Sequence, residues 1–426
     1  MRKTNLGYRL AVGLTGLLLL GGCASGQAAS EAKIASGEQA VEATLQTEEN
    51  PEAQKETVSD GIAQTQEDPD RTIPVWAELQ IDHEIELHYA DQFQVTFYEQ
   101  DYDLITIDGT GRYLLVPEGG EVPAGLDADI TVFQKPLQKL YIASSSSMDP
   151  ILRVGGLECA AFTSTNAASW TIPEIAEAVT QGSLTYVGKY SAPDYELLTA
   201  EGCDGVVENT MIYHSPETKE KLESLGMPVM VEHSSFESHP LGRLEWIRLY
   251  GVLLDREEEA DRFFAEKEEA VLRVLKETDS GKTASFFNLI ESGGVMVRKP
   301  SDYIATMMEL AGGRYALADM DMGEDAGSAT ATTTIQMEAF YDAAADADYM
   351  IYNGLMEQDT LTLEEILEKD SVLGDFKAVK EGNVWGTRAT IFQQSTGAAD
   401  LILDFHALFN GEADDQEELN FLYRVH

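Results

Sequence analysis

From Leu137 to the C-terminus, short apolar runs alternate with amphipathic stretches, and this rhythm constrains the fold more than any other feature of the chain. LQKLYIASS, CAAFTST, LTYVG, GVVEN and PVMVEHSS have strand length, and each leads through a turn into a helical pattern. Pro173, Pro193 and Pro240 stand near the starts of three of those helices, and SPETKEKLESLG ends on Gly226 as a C-cap. The rhythm returns with the strands TASFFNLI, YMIYNG and NVWGT. Among them lie the helices SDYIATMMELAGG, TIQMEAFYDAAADA, LTLEEILEK and AADLILDFHALF. Strand–helix alternation with short loops predicts an α/β fold of parallel sheets covered on both faces. Ligands in such folds bind beyond the carboxyl ends of the strands.

One long stretch interrupts the alternation. In DREEEADRFFAEKEEAVLRVLKETDS, residues 255–280, Ala260, Phe263, Phe264, Val271, Val274 and Leu275 recur at three- and four-residue steps and form one apolar stripe. Asp255 reads as an N-cap and Glu258 completes a capping box, while Arg273 and Lys276 complement the dipole in the last turn. At 1.5 Å per residue such a helix is about 36 Å long, the width of a small domain. It predicts a strut between two α/β halves, with a cleft between them.

Residues 1–22 read as an export signal, in which Arg2, Lys3 and Arg9 flank or precede an apolar core from Leu10 to Leu20 that is short for a membrane span. Leu20-Gly21-Gly22-Cys23 resembles a bacterial lipobox, which makes Cys23 the expected lipidation site and the membrane anchor. Residues 23–72, rich in Ala, Gln, Glu, Ser and Thr, read as a disordered acidic tether. Within 73–136, IDHEIELHY alternates Ile81, Ile85, Leu87 and Tyr89 as a half-buried strand. FQVTFYE, DLITID and RYLLVP follow, predicting an antiparallel β-rich front piece. The expected organisation is a first lobe over 73–254, the interlobe helix over 255–280 and a second lobe over 281–426.

Charge limits the partners. With 75 acidic against 29 basic residues, and a formal net charge of −46, the chain lacks the basic surface that nucleic acid requires. Three cysteines make no disulfide scaffold, and Cys159 and Cys203 are expected as buried free thiols, with pairing left open. His83, Glu84 and His88 miss H-E-x-x-H by one position, and Ser280-Gly281-Lys282-Thr283 has Lys276 where a P-loop needs glycine. With no nucleophile elbow or dinucleotide fingerprint either, the chain is expected to be no enzyme and to carry no intrinsic cofactor.

YVGKYSAPDYELL, TMIYHSPETKEKLESLGMPVMVE, SSFESHPLGRLEWIRLYG, GGVMVRKPSDYIATMMELAGG, MEAFYDAAADADYMIYNG and FKAVKEGNVWGT resemble the solute-binding proteins of ABC importers for iron-siderophores, haem and cobalamin. The segments keep that family's order on both sides of the long helix. The resemblance implies two Rossmann-like lobes joined by one rigid helix (the class III solute-binding fold), with little lobe movement. It also implies a monomeric receptor that delivers a small-molecule metal chelate to an ABC permease and its ATPase. In that family one glutamate near a helix start on each lobe meets permease arginines; the matching positions are Glu196 in APDYE and Glu338 in TIQME.

Candidate ligand contacts are the side chains at the carboxyl ends of strands. On the first lobe these are Ser145, Ser146, Trp170, Lys189, Tyr190, Tyr213, His214, Ser234, Ser235 and Arg243; on the second, Arg298, Lys299, Trp385, Gln393 and Gln394. In so acidic a chain, Lys189, Arg243, Arg298 and Lys299 would neutralise an anionic ferric chelate, with Tyr and Trp stacking on its rings. Arg243 also has Glu237 or Glu245 as alternative partners, and Trp170 has a core role as its alternative. His214, His233, His239 and Glu237 raise direct capture of Zn or Mn, without a regular ligand spacing. Haem, with Tyr213 or His214 as axial ligand, and cobalamin are further alternatives. The expected function is capture of an iron complex, a siderophore-type ferric chelate, by a lipid-anchored extracytoplasmic receptor.

Overall fold

The computed structural model describes residues 73–275, 279–291, 293–322, 332–354, 361–413 and 416–426. The expected export signal, Cys23 and the tether lie outside these residues, which all fall in one unit of the chain, Asp68–His426.

The front piece is a five-stranded sheet in chain order: β1 (Ile81–Glu84), β2 (Phe93–Tyr98), β3 (Tyr102–Ile107), β4 (Gly111–Val116) and β5 (Ile130–Gln134). The first four strands are antiparallel, and β5 runs parallel to β4. The pleat sorts side chains by parity. Ile105, Ile107, Tyr113 and Leu115 join the main core, while Tyr102, Leu104, Leu114 and Val116 form a smaller one. β1 corrects the expected long half-buried strand: it has four residues, all exposed. Two fully buried carboxylates turn the chain away after it. Glu245 accepts the backbone N–H groups of His88, Tyr89 and Ala90, and Glu237 those of Asp91 and Gln92, at 2.8–3.1 Å. These amides find their acceptors in side chains rather than in a strand ladder.

The first lobe holds β6 (Leu140–Ile142), β7 (Ala160–Thr163), β8 (Thr185–Tyr186), a hairpin of β9 (Gly188–Lys189) and β10 (Ala192–Pro193), then β11 (Gly205–Asn209) and β12 (Val229–Glu232). Its sheet is all parallel in the order β12-β11-β6-β7-β8. The helices are α1 (Met148–Arg153), α2 (Pro173–Gln181), α3 (Tyr195–Glu201), α4 (Pro216–Ser224), α5 (Pro240–Glu245) and α6 (Ile247–Leu254). The helix expected over 240–254 divides at Trp246, whose indole N–H donates to Glu237. The long helix follows as α7 (Glu257–Val274).

The second lobe contains β13 (Thr283–Leu289), β14 (Val295–Arg298), α8 (Tyr303–Leu310), β15 (Arg314–Tyr315), β16 (Thr332–Ile335), α9 (Met337–Ala344), β17 (Tyr349–Tyr352), α10 (Leu363–Lys369), α11 (Lys377–Glu381), β18 (Val384–Thr387), α12 (Ala398–Phe409) and β19 (Leu422–Arg424). Its sheet runs β16-β14-β13-β17-β18-β19, with β15 beside β13. The β13, β15, β17 and β18 strands pair in parallel; β14 lies antiparallel between β13 and β16, and β19 antiparallel beside β18. The sheet is therefore mixed where an all-parallel one was expected. The expected helix TIQMEAFYDAAADA starts only at Met337, because the β-branched run Thr332–Ile335 pairs with the β14 edge.

The interlobe helix is shorter than its sequence pattern, at 18 residues or about 27 Å. Asp255 is not its N-cap. It closes α6 in the left-handed conformation (φ 54°), and its carboxylate is taken by the buried Lys135 ammonium at 2.6 Å. Ala260, Phe264 and Val271 are buried, whereas Leu275 is exposed. Ion pairs fasten the helix to both halves: Asp261 to Arg248 (2.7 Å) and Glu268 to His88 (2.9 Å) on the first, Lys267 to Asp400 of α12 (2.7 Å) on the second.

Candidate ligand-binding cleft

A cleft of about 490 Å³ opens between the lobes at the carboxyl ends of β6, β11, β12, β14 and β18, within the size range of small-molecule sites. Its first-lobe wall is polar. Ser146 follows β6, Asn209 ends β11 and is followed by Thr210 and Met211, Glu232 ends β12 and is followed in the lining by Ser234, Ser235 and Phe236, and Arg243 reaches in from α5. The second-lobe wall is largely apolar, with Tyr303, Met307, Ile391, Phe392, Leu401 and Phe421 beside Arg298, Gln394 and Ser395.

Each polar group is held by its element. Asn209 accepts the N–H of Met211 through Oδ1 and donates through Nδ2 to Ser144 Oγ. Glu232 Oε2 accepts the N–H of Ser234 at 2.8 Å, and Arg243 Nε donates to Ser234 O at 3.2 Å. The Arg243 guanidinium lies 4.2 Å from the ring centre of Tyr303 on the opposite lobe, and Arg298 lies 5.8 Å from it. The two cations thus flank one aromatic ring. Arg298 is tethered to buried Asp302 at 3.5 Å, while Arg243 makes no ion pair among the described residues. Its expected alternatives are occupied, since Glu237 and Glu245 hold the 88–92 backbone and Glu245 also pairs with Arg248. Glu232 is buried, and burial raises its pKa above the usual carboxylate value. The Ser234 and Ser144 hydrogen bonds and the field of Arg243 pull the other way.

Of the residues expected at the ligand, Ser146, Ser234, Ser235, Arg243, Arg298 and Gln394 line the cleft. Others stand elsewhere. Ser145 sits in the turn after β6 outside the lining, and Lys189 is exposed on the β9–β10 hairpin. Tyr190 packs on the first lobe's own core. Trp170 is a core residue that donates its indole N–H to Thr165 O. Trp385 is fully buried on β18 under Arg424 and offers the cleft no surface. Lys299 is buried in the turn before α8. Tyr213 and His214 are exposed and outside the cleft lining. Gln393 joins the lobes: its Oε1 accepts from Thr171 N and Oγ1, both at 2.7 Å, and its Nε2 donates to Ser169 O. Beside it Ser395 donates to Ser146 O, and Thr396 donates twice to the buried Asp149 carboxylate.

Glu232, Tyr303, Asn209 and Phe392 escaped the sequence reading. Glu232 had one visible signal, a carboxylate ending the apolar run PVMV.

The histidines do not converge. His239 Nδ1 accepts the N–H of Leu241 and its ring stacks on Tyr89, while His233 stacks on Phe236. Among the described residues no three His, Cys, Asp or Glu side chains come together as a metal site. Cys159 and Cys203 are free and partly buried, and burial pushes the Cys203 thiol up to about 11.

Glu196 and Glu338 are exposed in the first turns of α3 and α9, one on each lobe. Asp194 supplies the α3 cap by accepting from Leu197 N, so Glu196 is not needed for it. Neither glutamate makes a hydrogen bond or ion pair among the described residues.

Solved structures share this fold. A periplasmic binding protein from Veillonella parvula matches with a TM-score of 0.53 at 15% identity, covering 72% of this chain and 97% of its own. A periplasmic heme-binding protein from Pseudomonas aeruginosa matches with a TM-score of 0.51 at 15% identity, covering 68% and 98%. The petrobactin-binding protein YclQ from Bacillus subtilis matches with a TM-score of 0.51 at 14% identity, covering 66% and 93%. In sequence, the chain is similar to the uncharacterized lipoprotein MJ0878 of Methanocaldococcus jannaschii, 23% identical over 363 residues that cover 79% of this chain and 85% of the relative. The pattern of the periplasmic binding protein family matches residues 143–390, more than half of the chain, and this protein belongs to that family.

Proposed function

We propose that this protein is a lipid-anchored extracytoplasmic receptor that captures an iron complex in the interlobe cleft and delivers it to an ABC permease. One observation carries the reading. In a chain with a net charge of −46, two arginines from opposite lobes flank Tyr303 in a cleft at the carboxyl ends of the strands. Cations kept in such a field suit an anionic chelate, and the aromatic and apolar second-lobe wall suits its organic periphery. The heme- and petrobactin-binding proteins of the same fold, and the lipoprotein relative, are consistent with this cargo class and location.

Native mass spectrometry with metal analysis, on protein purified from its own host, tests the cargo. An iron-containing small molecule bound one to one supports the reading, and a protein free of iron and of any small ligand opposes it. Delivery is proposed to run through Glu196 and Glu338, exposed carboxylates that can set register on basic pockets of a permease. Charge reversal at both positions should abolish uptake with cargo affinity intact; undiminished uptake would remove them from the docking surface.

A further inference from the structure

The cleft lining holds a buried carboxyl group with which neither cleft arginine forms an ion pair among the described residues. Glu232 ends β12, is 4% exposed, and lines the cavity. It accepts the Ser234 N–H at 2.8 Å and is supported by the Ser234 and Ser144 hydroxyls. It forms no ion pair among the described residues. Arg243, whose field reaches it, donates instead to Ser234 O and lies over Tyr303. Burial holds this carboxyl above its usual pKa against the Ser234 and Ser144 hydrogen bonds and the field of Arg243, and an ammonium beside it would restore the charged form. The open space it faces is the space a ligand fills.

We propose that Glu232 accepts a protonated amine of the ligand, so that the cargo is an iron chelate with a negative group for Arg243 and Arg298 and an ammonium for this carboxylate. The inference rests on the iron-chelate reading above and names the chemistry of its cargo. The polar first-lobe wall then reads the charged periphery, and the apolar second-lobe wall, with Met307, Phe392 and Leu401, covers the uncharged part. A site built around a buried acceptor rejects an analogue that lacks the matching donor, because its own polar group is left unpaired.

A matched pair of probes tests this: a ferric citrate-amide chelate carrying free secondary-amine arms, and the same chelate with those amines acetylated. Both are titrated calorimetrically into the full-length protein and into Glu232→Gln, Glu232→Asp and Arg243→Gln variants. The parent should bind the amine form at least about ten-fold more tightly than the acetylated form. Glu232→Gln should bring the two within about three-fold, and Glu232→Asp, which keeps the charge, should retain a preference and so separate loss of charge from loss of fold. Arg243→Gln should weaken both probes alike. Binding without preference in the parent, or a preference that survives Glu232→Gln, overturns the inference while leaving the iron-chelate reading intact. If neither probe binds and ferric citrate and haem also fail to bind, the iron-chelate reading falls and this inference with it.

Discussion

Glu208 makes stability depend on pH in a way that one substitution removes. It lies on β11, an interior strand of the first-lobe sheet between β12 and β6, is 1% exposed, and its Oε1 has no hydrogen-bond partner. The hydroxyl of Tyr141 on neighbouring β6 is likewise buried and unpartnered. Burial alone pushes the Glu208 carboxyl from 4.5 up to about 8. A raised carboxyl pKa means that the folded protein keeps a proton the unfolded chain releases. Stability is then fully present below pH 4.5 and falls as pH rises, at ~1.4 kcal/mol per unit, to a loss of about 4 kcal/mol at pH 8. Glu208→Gln cannot titrate. Its buried amide N–H groups add a cost of about 1–3 kcal/mol, but that cost is the same at every pH. The readout is therefore the slope: urea unfolding of parent and variant at pH 5, 6, 7 and 8 should show the variant gaining on the parent across the series. The subtraction cancels the other titrating groups, including Asp404, which burial raises to about 6. A stability difference that stays constant from pH 5 to 8 would refute the reasoning.

Four further outcomes follow from the structure. Arg243→Gln should weaken binding of the native cargo by at least about ten-fold, and Arg298→Gln, whose parent residue is tied to Asp302, by less; both are measured by titration, with the arginine contribution shrinking as salt rises. Glu245→Ala strips the acceptor from three backbone amides, so it should destabilise the protein by about 3 kcal/mol, with hydrogen exchange at residues 88–90 accelerating first. For Asp348, burial acts to raise the carboxyl, but Lys377, Lys282 and the Thr283 N–H overcome it and hold it at about 2. That stability is present above pH 3.8 and lost as pH falls towards 2. Asp348→Asn should therefore cost about 1 kcal/mol at pH 7, given the half-exposed lysines, and nothing near pH 2, as chemical denaturation would show. Thr396→Val removes one of three donors to the buried Asp149 carboxylate, the others being Thr396 N and Arg153 Nε, and should lower the melting temperature by a few degrees, with cleft affinity falling in parallel if the lobes lose register.

The sequence made the strand positions legible because buried parallel strands are continuous apolar runs with little else to become. GVVEN and YMIYNG fall on β11 and β17 for that reason. What it concealed are features settled at a distance. Nothing local distinguishes Asp255 as a helix stop paired to Lys135 from a helix start, because the deciding partner lies 120 residues earlier. Trp385 was expected in the cleft as an aromatic at a strand's carboxyl end, but its ring lies under Arg424 of a terminal strand, β19, that no periodicity announced. The two arginines were visible as rare cations near strand ends. Their shared ring was not, since Arg243 and Tyr303 meet only once the lobes are assembled.

That assembly bears on how the cleft can work. The second lobe reaches the first through Gln393, Ser395 and Thr396, a four-residue stretch whose side chains grip the loops after β6 and β7. The same stretch runs directly into α12, which also holds α7 through Asp400. Opening the lobes widely would break the Gln393 bonds, expose the Asp149 carboxylate and strain the helix junction together. By contrast, the Arg243–Tyr303 contact across the cleft is a single cation–π pair, worth about 1 kcal/mol. Motion is therefore cheaper at that contact, where the guanidinium can leave the ring for an anion while the Gln393–Thr396 contacts stay fastened. Under the proposed function, cargo would then be recognised by rearranging side chains around Tyr303, with the lobes and the exposed Glu196 and Glu338 moving little.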